Sequence, residues 1–251
     1  MYANTDKTGV QTGQFLQVKV GSAQFIYVPA SVGEARTNSD TLVLTPGLRY
    51  GFSANTEIYG RASWLARSAR IQDGDGLRGE SENRFADAWV GINRRLVPEG
   101  KTPALLGFAE MALAEKSGGE TAYGKSWLIG ATAYRTLDPV VLAATVAYRL
   151  NQPRQVDGDE QKPGNFLLVN PTINFAVNDR VTLSTGMQWR RQEADRNSGA
   201  AQGIATTRTD MYLGLGFQWD EHITLNFGTR ANISGGDGAE VGLTALVKLG
   251  E

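Results

Sequence analysis

The sequence predicts an all-β fold, a transmembrane antiparallel up-and-down β-barrel of about twelve strands, and three observations carry that prediction. Apolar and polar residues alternate with a period of two through most of the 251-residue chain, which is typical of a strand whose two faces meet different solvents. The alternating stretches run to about a dozen residues, whereas strands of soluble domains usually have about five or six. Short and long connections alternate along the chain, as they do in outer-membrane barrels.

The stretch 41–67 displays this alternation most clearly. Its first arm alternates leucines with Thr45 and Arg49, and its second arm alternates Ile58 and Trp64 with Arg61. A short connector of turn formers joins the two arms, so they must be antiparallel neighbours. Strands of this length, tilted near 45°, cross the apolar band of a bilayer.

In chain order, we expect about twelve strands separated by tight turns and polar loops. The strands lie at residues 14–28, 41–52, 57–67, 84–96, 103–116, 123–136, 140–151, 165–177, 181–192, 208–219, 223–232 and 240–249. Tight turns are predicted at 53–55, 98–101, 137–138, 178–180 and 220–222, and longer loops at 29–40, 71–83, 117–122, 152–164, 195–205 and 235–239. Residues 21–24 blur the register of the first strand, and the pattern does not assign the facing of the sixth. An even number of strands puts both termini on the periplasmic side.

Composition narrows the class of protein and the domain organisation. No apolar run approaches the roughly eighteen residues of a transmembrane helix, which excludes a helical membrane protein. The chain has no cysteine, hence no disulfide or thiolate metal site, and its net charge of −1 gives no reason to expect nucleic acid. We expect residues 1–13 to be a tail, the remnant of a missing periplasmic or plug region, and residues 14–251 to form the barrel.

A soluble β-sandwich or lipocalin-like barrel would show the same alternation with its apolar face inward. The apolar face here carries many small residues, such as Gly60, Ala62, Ala88 and Gly107. These could not fill the interior of a twelve-stranded barrel to native density, whereas lipid chains can pack around them. Aromatic residues fall near strand ends, where an interfacial girdle would place them: Tyr50, Phe52, Trp127, Trp189, Phe217 and Trp219.

The sequence offers no convincing catalytic or metal site, so we expect neither an enzyme nor a cofactor. The lone histidine, His222, falls in a predicted tight turn, away from any serine at membrane depth. The run 73–75 resembles the start of a calcium loop, but Leu77 and Arg84 occupy positions at which an EF-hand needs an oxygen ligand and a glutamate.

The polar face carries charges of both signs along the strands, and these are the candidate pore-lining residues. They are Arg49, Glu57, Arg61, Arg67, Asp87, Arg95, Glu110, Arg149, Arg190, Arg208, Asp210, Arg230 and Glu240. Guanidinium groups held by nearby carboxylates would line a hydrated conduit of weak ion selectivity. The alternative is that the same ion pairs plug and stiffen a narrow barrel, since twelve strands lie between a filled eight-stranded barrel and an open porin.

The stretch 42–65, with Leu-Arg-Tyr-Gly before its turn and Glu-Ile-Tyr-Gly after it, resembles outer-membrane barrels grouped with phenol-degradation MetA-pathway transporters, and among them the FapF-like channels of functional amyloid secretion. The resemblance implies a homotrimer in the Gram-negative outer membrane, in contact with its lipid, that exports unfolded amyloid subunits and is gated by an N-terminal plug. The residues alone support only a polar pore, so a passive diffusion channel for small organic solutes or anions remains the alternative. An adhesin or structural barrel that acts through its loops is a third hypothesis.

Overall fold

The computed structural model describes residues 14–27, 36–73, 76–117, 119–156, 158–235 and 238–249. Within these ranges it contains seventeen strands. In chain order they are β1 (Gln14–Tyr27), β2 (Arg36–Ser53), β3 (Thr56–Asp73), β4 (Gly76–Val97), β5 (Ala104–Ser117), β6 (Glu120–Ala122), β7 (Ser126–Leu137), β8 (Val140–Asn151), β9 (Arg154–Val156), β10 (Asp159–Lys162), β11 (Phe166–Ala176), β12 (Val181–Gln192), β13 (Asp195–Asn197), β14 (Ala200–Gln202), β15 (Thr206–Gln218), β16 (Ile223–Ser234) and β17 (Ala239–Lys248).

Twelve of these strands form one closed, antiparallel ring. Its order is β1-β2-β3-β4-β5-β7-β8-β11-β12-β15-β16-β17, and β17 pairs with β1 to complete it. Strands that are neighbours in the chain are therefore neighbours in the wall, which is the up-and-down topology. The predicted fold class and strand number are confirmed.

The two ends of the ring differ in the length of their connections. One end, the turn end, holds the short connections, such as the step from Ser53 to Thr56. The other, the loop end, holds the long ones, including a separate four-stranded sheet of β9, β10, β13 and β14. The first wall strand begins and the last one finishes at the turn end, because Gln14 pairs with Tyr50 and Lys248 pairs with Phe15.

The polarity of the wall is the reverse of that of a soluble protein, because apolar side chains are exposed and charged side chains are buried. Leu48 is 60% exposed and Leu213 is 53% exposed, whereas charged side chains such as Glu57, Glu110 and Asp210 are buried. A soluble fold would lose stability by leaving such an apolar face in water, whereas transmembrane barrels carry an apolar band on their outer face. Within the described ranges, no helix is long and apolar enough to cross a membrane.

The six aromatic residues of the predicted girdle each lie within about three residues of a wall-strand end. Phe52 and Trp219 are largely exposed, and the rings of Phe217 and Trp219 meet edge to face with centroids 6.2 Å apart. Tyr50, Phe52, Phe217 and Trp219 lie at the turn end, and Trp127 and Trp189 at the loop end. They thus flank the apolar band on both sides, as interfacial aromatics do.

Several of the predicted loops are partly wrong. Strand pairing continues into residues that were assigned to loops. Residues 71–73 and 76–83 are strand and not loop: β3 and β4 stay paired from Arg67 opposite Glu82 to Asp73 opposite Gly76, and this projecting hairpin extends beyond the rest of the wall. Residues 36–40 belong to β2, and short strands occupy parts of 152–164 and 195–205. The backbone ladder needs no apolar face, so strands that are solvated on both sides leave no alternation in the sequence. Residues 1–13, predicted as a tail, lie outside the described residues.

The register irregularities explain the two segments that the alternation left unclear. A bulge between Val20 and Ser22 interrupts the pairing of β1, where the pattern blurred. In β7, Ser126, Thr132 and Tyr134 are buried while Trp127 and Ile129 are exposed, so the even-numbered residues face inward.

Candidate functional site: the barrel interior

Contacts that skip a strand show which face of the wall is the inside. Tyr59 of β3 donates to Glu110 of β5 across the intervening strand β4. The Arg149 guanidinium of β8 lies 4.9 Å from the centroid of the Trp89 ring of β4, which is three strand positions away. Side chains of non-adjacent strands converge only on the concave face of a curved sheet, so the charged face is the interior.

A buried carboxylate organises the interior of β3, β4 and β5. The Glu110 side chain is 0% exposed; its carboxylate accepts hydrogen bonds from the Tyr59 hydroxyl at 2.8 Å and from Arg61 Nη2 at 3.0 Å. The Arg61 guanidinium also lies 5.3 Å from the centroid of the Trp89 ring. Charge-assisted hydrogen bonds and a cation–π contact therefore hold this arginine against the wall.

A second pair lies closer to the turn end. Arg49 of β2 and Glu57 of β3 are 3.1 Å apart, and both side chains are buried. Asn93 Nδ2 donates to the same carboxylate at 2.8 Å, and the Arg49 guanidinium lies 5.7 Å from the Tyr59 ring centroid.

At the loop end, Glu115 is shared by two arginines. Arg149 of β8 pairs with one carboxylate oxygen, and Arg154 of β9 approaches the other at 3.4 Å. The buried Ser126 hydroxyl donates to Glu115. Burial lowers the pKa of Arg154 from its ordinary value, while the Glu115 carboxylate opposes that shift; a guanidinium nonetheless stays charged.

The opposite side of the ring holds two further ion pairs, whose arginines are more exposed than Arg49 and Arg61. Arg208 Nε donates to Asp210 at 2.8 Å, and Asn232 Nδ2 donates to the same carboxylate at 2.9 Å. Arg230 and Glu240 are directly opposite residues on β16 and β17, and their charged atoms are 3.7 Å apart.

Three further candidate residues lie on β3 and β4. Arg67 is exposed at the loop-end rim, where its Nε donates to Ser39 at 3.0 Å. Asp87 is half-buried opposite Glu115, and Asp87 Oδ1 has no hydrogen-bond partner among the described residues. Arg95 is half-buried near the turn end of β4.

Several aromatic rings pack against glycines of the wall, where a side chain would leave no room for them. A Cβ added at Gly91 would come within 2.5 Å of the Tyr59 ring, and one at Gly130 within 2.4 Å of the Phe108 ring. Added Cβ atoms at Gly214 and Gly228 would likewise meet Tyr212. Rings held along the wall in this way extend less far towards the axis than they would if they pointed across the bore.

Several interior residues were not among the sequence candidates. Tyr59 and Trp89 could have been found, because each shares the period-two face of a charged neighbour. Glu115 could not, since the register shifts between Ala112 and Ala114 and reverses the facing that strict alternation gives. Arg154 was hidden in a segment predicted to be a loop.

His222 lies in the exposed turn between β15 and β16, where its backbone N–H donates to Asp220 Oδ1 at 2.8 Å. Among the described residues, no group of three or more potential ligands could hold a metal ion.

Comparison with known proteins gives matches at the level of three-dimensional structure alone. No family model and no curated protein sequence matches the chain. An outer membrane channel from Pseudomonas putida F1 superposes with a TM-score of 0.72 over 98% of this chain and 99% of that one, at 10% sequence identity.

Two further solved structures share the architecture. The transport unit of the autotransporter AIDA-I from Escherichia coli has a TM-score of 0.60 at 11% identity, covering 100% of this chain and 93% of that one. The NanC porin has a TM-score of 0.57 at 10% identity, covering 93% of this chain and 99% of that one. The chain therefore has the fold of the outer-membrane β-barrels.

Proposed function

We propose that this protein is a passive outer-membrane channel for small polar organic solutes. The observation that carries the proposal is the closed twelve-stranded ring with paired charges inside and an apolar belt outside. A charged interior wall stabilises water and polar solutes within the bilayer, where a filled apolar core would exclude them.

The size of the ring supports an open passage. Twelve strands spaced about 4.8 Å apart and tilted about 40° give a circumference of about 75 Å and a backbone diameter of about 24 Å. Inward side chains leave a passage on the order of 10 Å across. The ion pairs of Arg49, Arg61 and Arg149 draw their guanidinium groups towards neighbouring strands, which supports an interior that is lined and not plugged.

Liposome swelling tests this proposal. Proteoliposomes that contain the refolded chain should swell in solutions of small sugars and small organic acids, at rates that fall as solute size approaches the passage width. Liposomes with chain that was never refolded are the control. Swelling no faster than that control for the smallest solute would contradict the proposal.

Export of unfolded amyloid subunits, which the resemblance of residues 42–65 implies, is a second proposal. A passage of about 10 Å would admit one extended chain but no folded domain. The inward rings of Tyr59, Trp89 and Phe108 are apolar surface that an exported unfolded chain would contact. Deletion of the gene should leave amyloid subunits in the periplasm, and normal surface amyloid after deletion would refute export.

We also propose an orientation of the barrel in the membrane and a trimeric assembly. Both ends of the wall lie at the turn end, so residence in the outer membrane with short turns inward would put both termini in the periplasm. A tag at either terminus should then resist protease added to whole cells. The implied homotrimer should appear as a three-chain species after mild cross-linking in membranes.

A further inference from the structure

We propose that the loop-end mouth contains a binding site for a small organic carboxylate, centred on Arg190. The proposal rests on the channel function, because it names a solute class for the same interior. It starts from Arg190, because the residue directly opposite it in the ladder is another arginine and not a carboxylate.

Arg190 of β12 and Arg208 of β15 are directly opposite residues in the ladder. Like charges at such positions destabilise a sheet. The positive charge of Arg208 is paired with the Asp210 carboxylate, whereas Arg190 donates a hydrogen bond to the neutral amide oxygen of Gln192. Two guanidinium groups and one carboxylate therefore leave one positive charge at this point of the wall.

An aromatic ring fixes the position of this charge. The Arg190 guanidinium lies 4.2 Å from the centroid of the Phe166 ring, and the Arg149 guanidinium lies 5.8 Å from the same ring. Phe166 is directly opposite Arg149 and Gln192 on its two neighbouring strands. The ring thus contacts both cations; Arg149 is paired with Glu115, whereas Arg190 donates to the neutral Gln192.

Both guanidinium groups retain donors for a ligand. Arg149 donates its hydrogen bonds through Nε and Nη2, and Arg190 donates through Nη2. The planar fork of a guanidinium matches the two oxygens of a carboxylate. Leu168 lies on the same face as Phe166, directly opposite Arg190, and supplies an apolar contact beside the cation.

These residues lie within three positions of the loop-end limits of their strands. The chemistry suits an anion with one carboxylate and a compact apolar body. The carboxylate of the ligand would pair with Arg190, and its apolar body would contact Phe166 and Leu168.

Isothermal titration of the full refolded chain in detergent, with benzoate as the probe, tests the site. Saturable binding that Arg190→Gln weakens roughly tenfold or more is the expected result. Arg191→Gln is the matched control, because Arg191 is the next residue of the same strand and is exposed on the outer face. Circular dichroism, together with a gel mobility that differs between heated and unheated samples, establishes that each variant is folded.

Absence of saturable benzoate binding to the wild-type chain would overturn the proposal, as would equal binding by wild type and Arg190→Gln. Inorganic phosphate that competes as well as benzoate would refute the preference for an organic carboxylate. Titration at equilibrium requires no passage through the barrel, so a failure of binding is distinguishable from a failure of conduction.

Discussion

Replacing Glu110 by glutamine removes the charge from the most buried carboxylate of the interior. Its side chain is 0% exposed and accepts from Tyr59 and from Arg61, whose own side chain is 18% exposed. Breaking a fully buried pair costs about 3–5 kcal/mol. The solvent contact of Arg61 and its stacking on Trp89 reduce that figure, so we expect Glu110→Gln to lower the free energy of unfolding by about 2–3 kcal/mol.

Urea unfolding in lipid vesicles, followed by tryptophan fluorescence, measures this loss. Glu82→Gln is the control, because Glu82 is 46% exposed in its pair with Arg84 on the projecting hairpin and should change stability by about 0.5 kcal/mol or less. Combining Glu110→Gln with Arg61→Met should cost less than the sum of the single changes, since neither charge is then left alone. A Glu110→Gln loss no larger than that of Glu82→Gln would refute the view that buried ion pairs stabilise the wall.

Three further predictions follow from the faces of the wall. Leu213→Arg places a charge in the exposed apolar belt of the wall and should destabilise a membrane-inserted barrel by about 2–4 kcal/mol, whereas Ser81→Arg on the projecting hairpin should leave the urea midpoint unchanged. Gly91→Ala should push the Tyr59 ring off the wall and lower single-channel conductance, while Gly60→Ala, whose added Cβ has its nearest neighbour at 3.6 Å, should not. Replacing Arg190, Arg208 and Arg230 by serine should shift reversal potentials towards cations, because three positive charges are removed while the carboxylates of Asp210 and Glu240 remain. Unchanged potentials would mean that these three side chains lie off the conducting path.

The wall could be predicted from sequence because its two faces meet different solvents. Leu42 and Leu44 are exposed on the outer face while Thr41 and Thr45 are less exposed, and a similar alternation recurs along β8 and β15. Where both faces meet water the signal disappears. The projecting hairpin that carries Arg67 and Glu82 was therefore predicted to be a loop, although its backbone ladder is continuous.

Period-two alternation also predicted the interior residues of a strand, up to the point where a bulge shifts its register. Strict alternation puts Glu57, Arg61 and Glu110 on one face, and the structure brings Arg61 and Glu110 into contact. Partners two or three strands apart depend on the stagger of the closed ring, which no local pattern encodes. The sharing of Glu115 between Arg149 and Arg154 is of this kind.

Single-channel recording from the refolded chain in a planar bilayer tests the central claim most directly. A water-filled ring lined by paired charges predicts discrete, long-lived conductance steps with weak ion selectivity. A folded, membrane-inserted barrel that gives no steps would contradict that claim, because its interior would then be closed to ions.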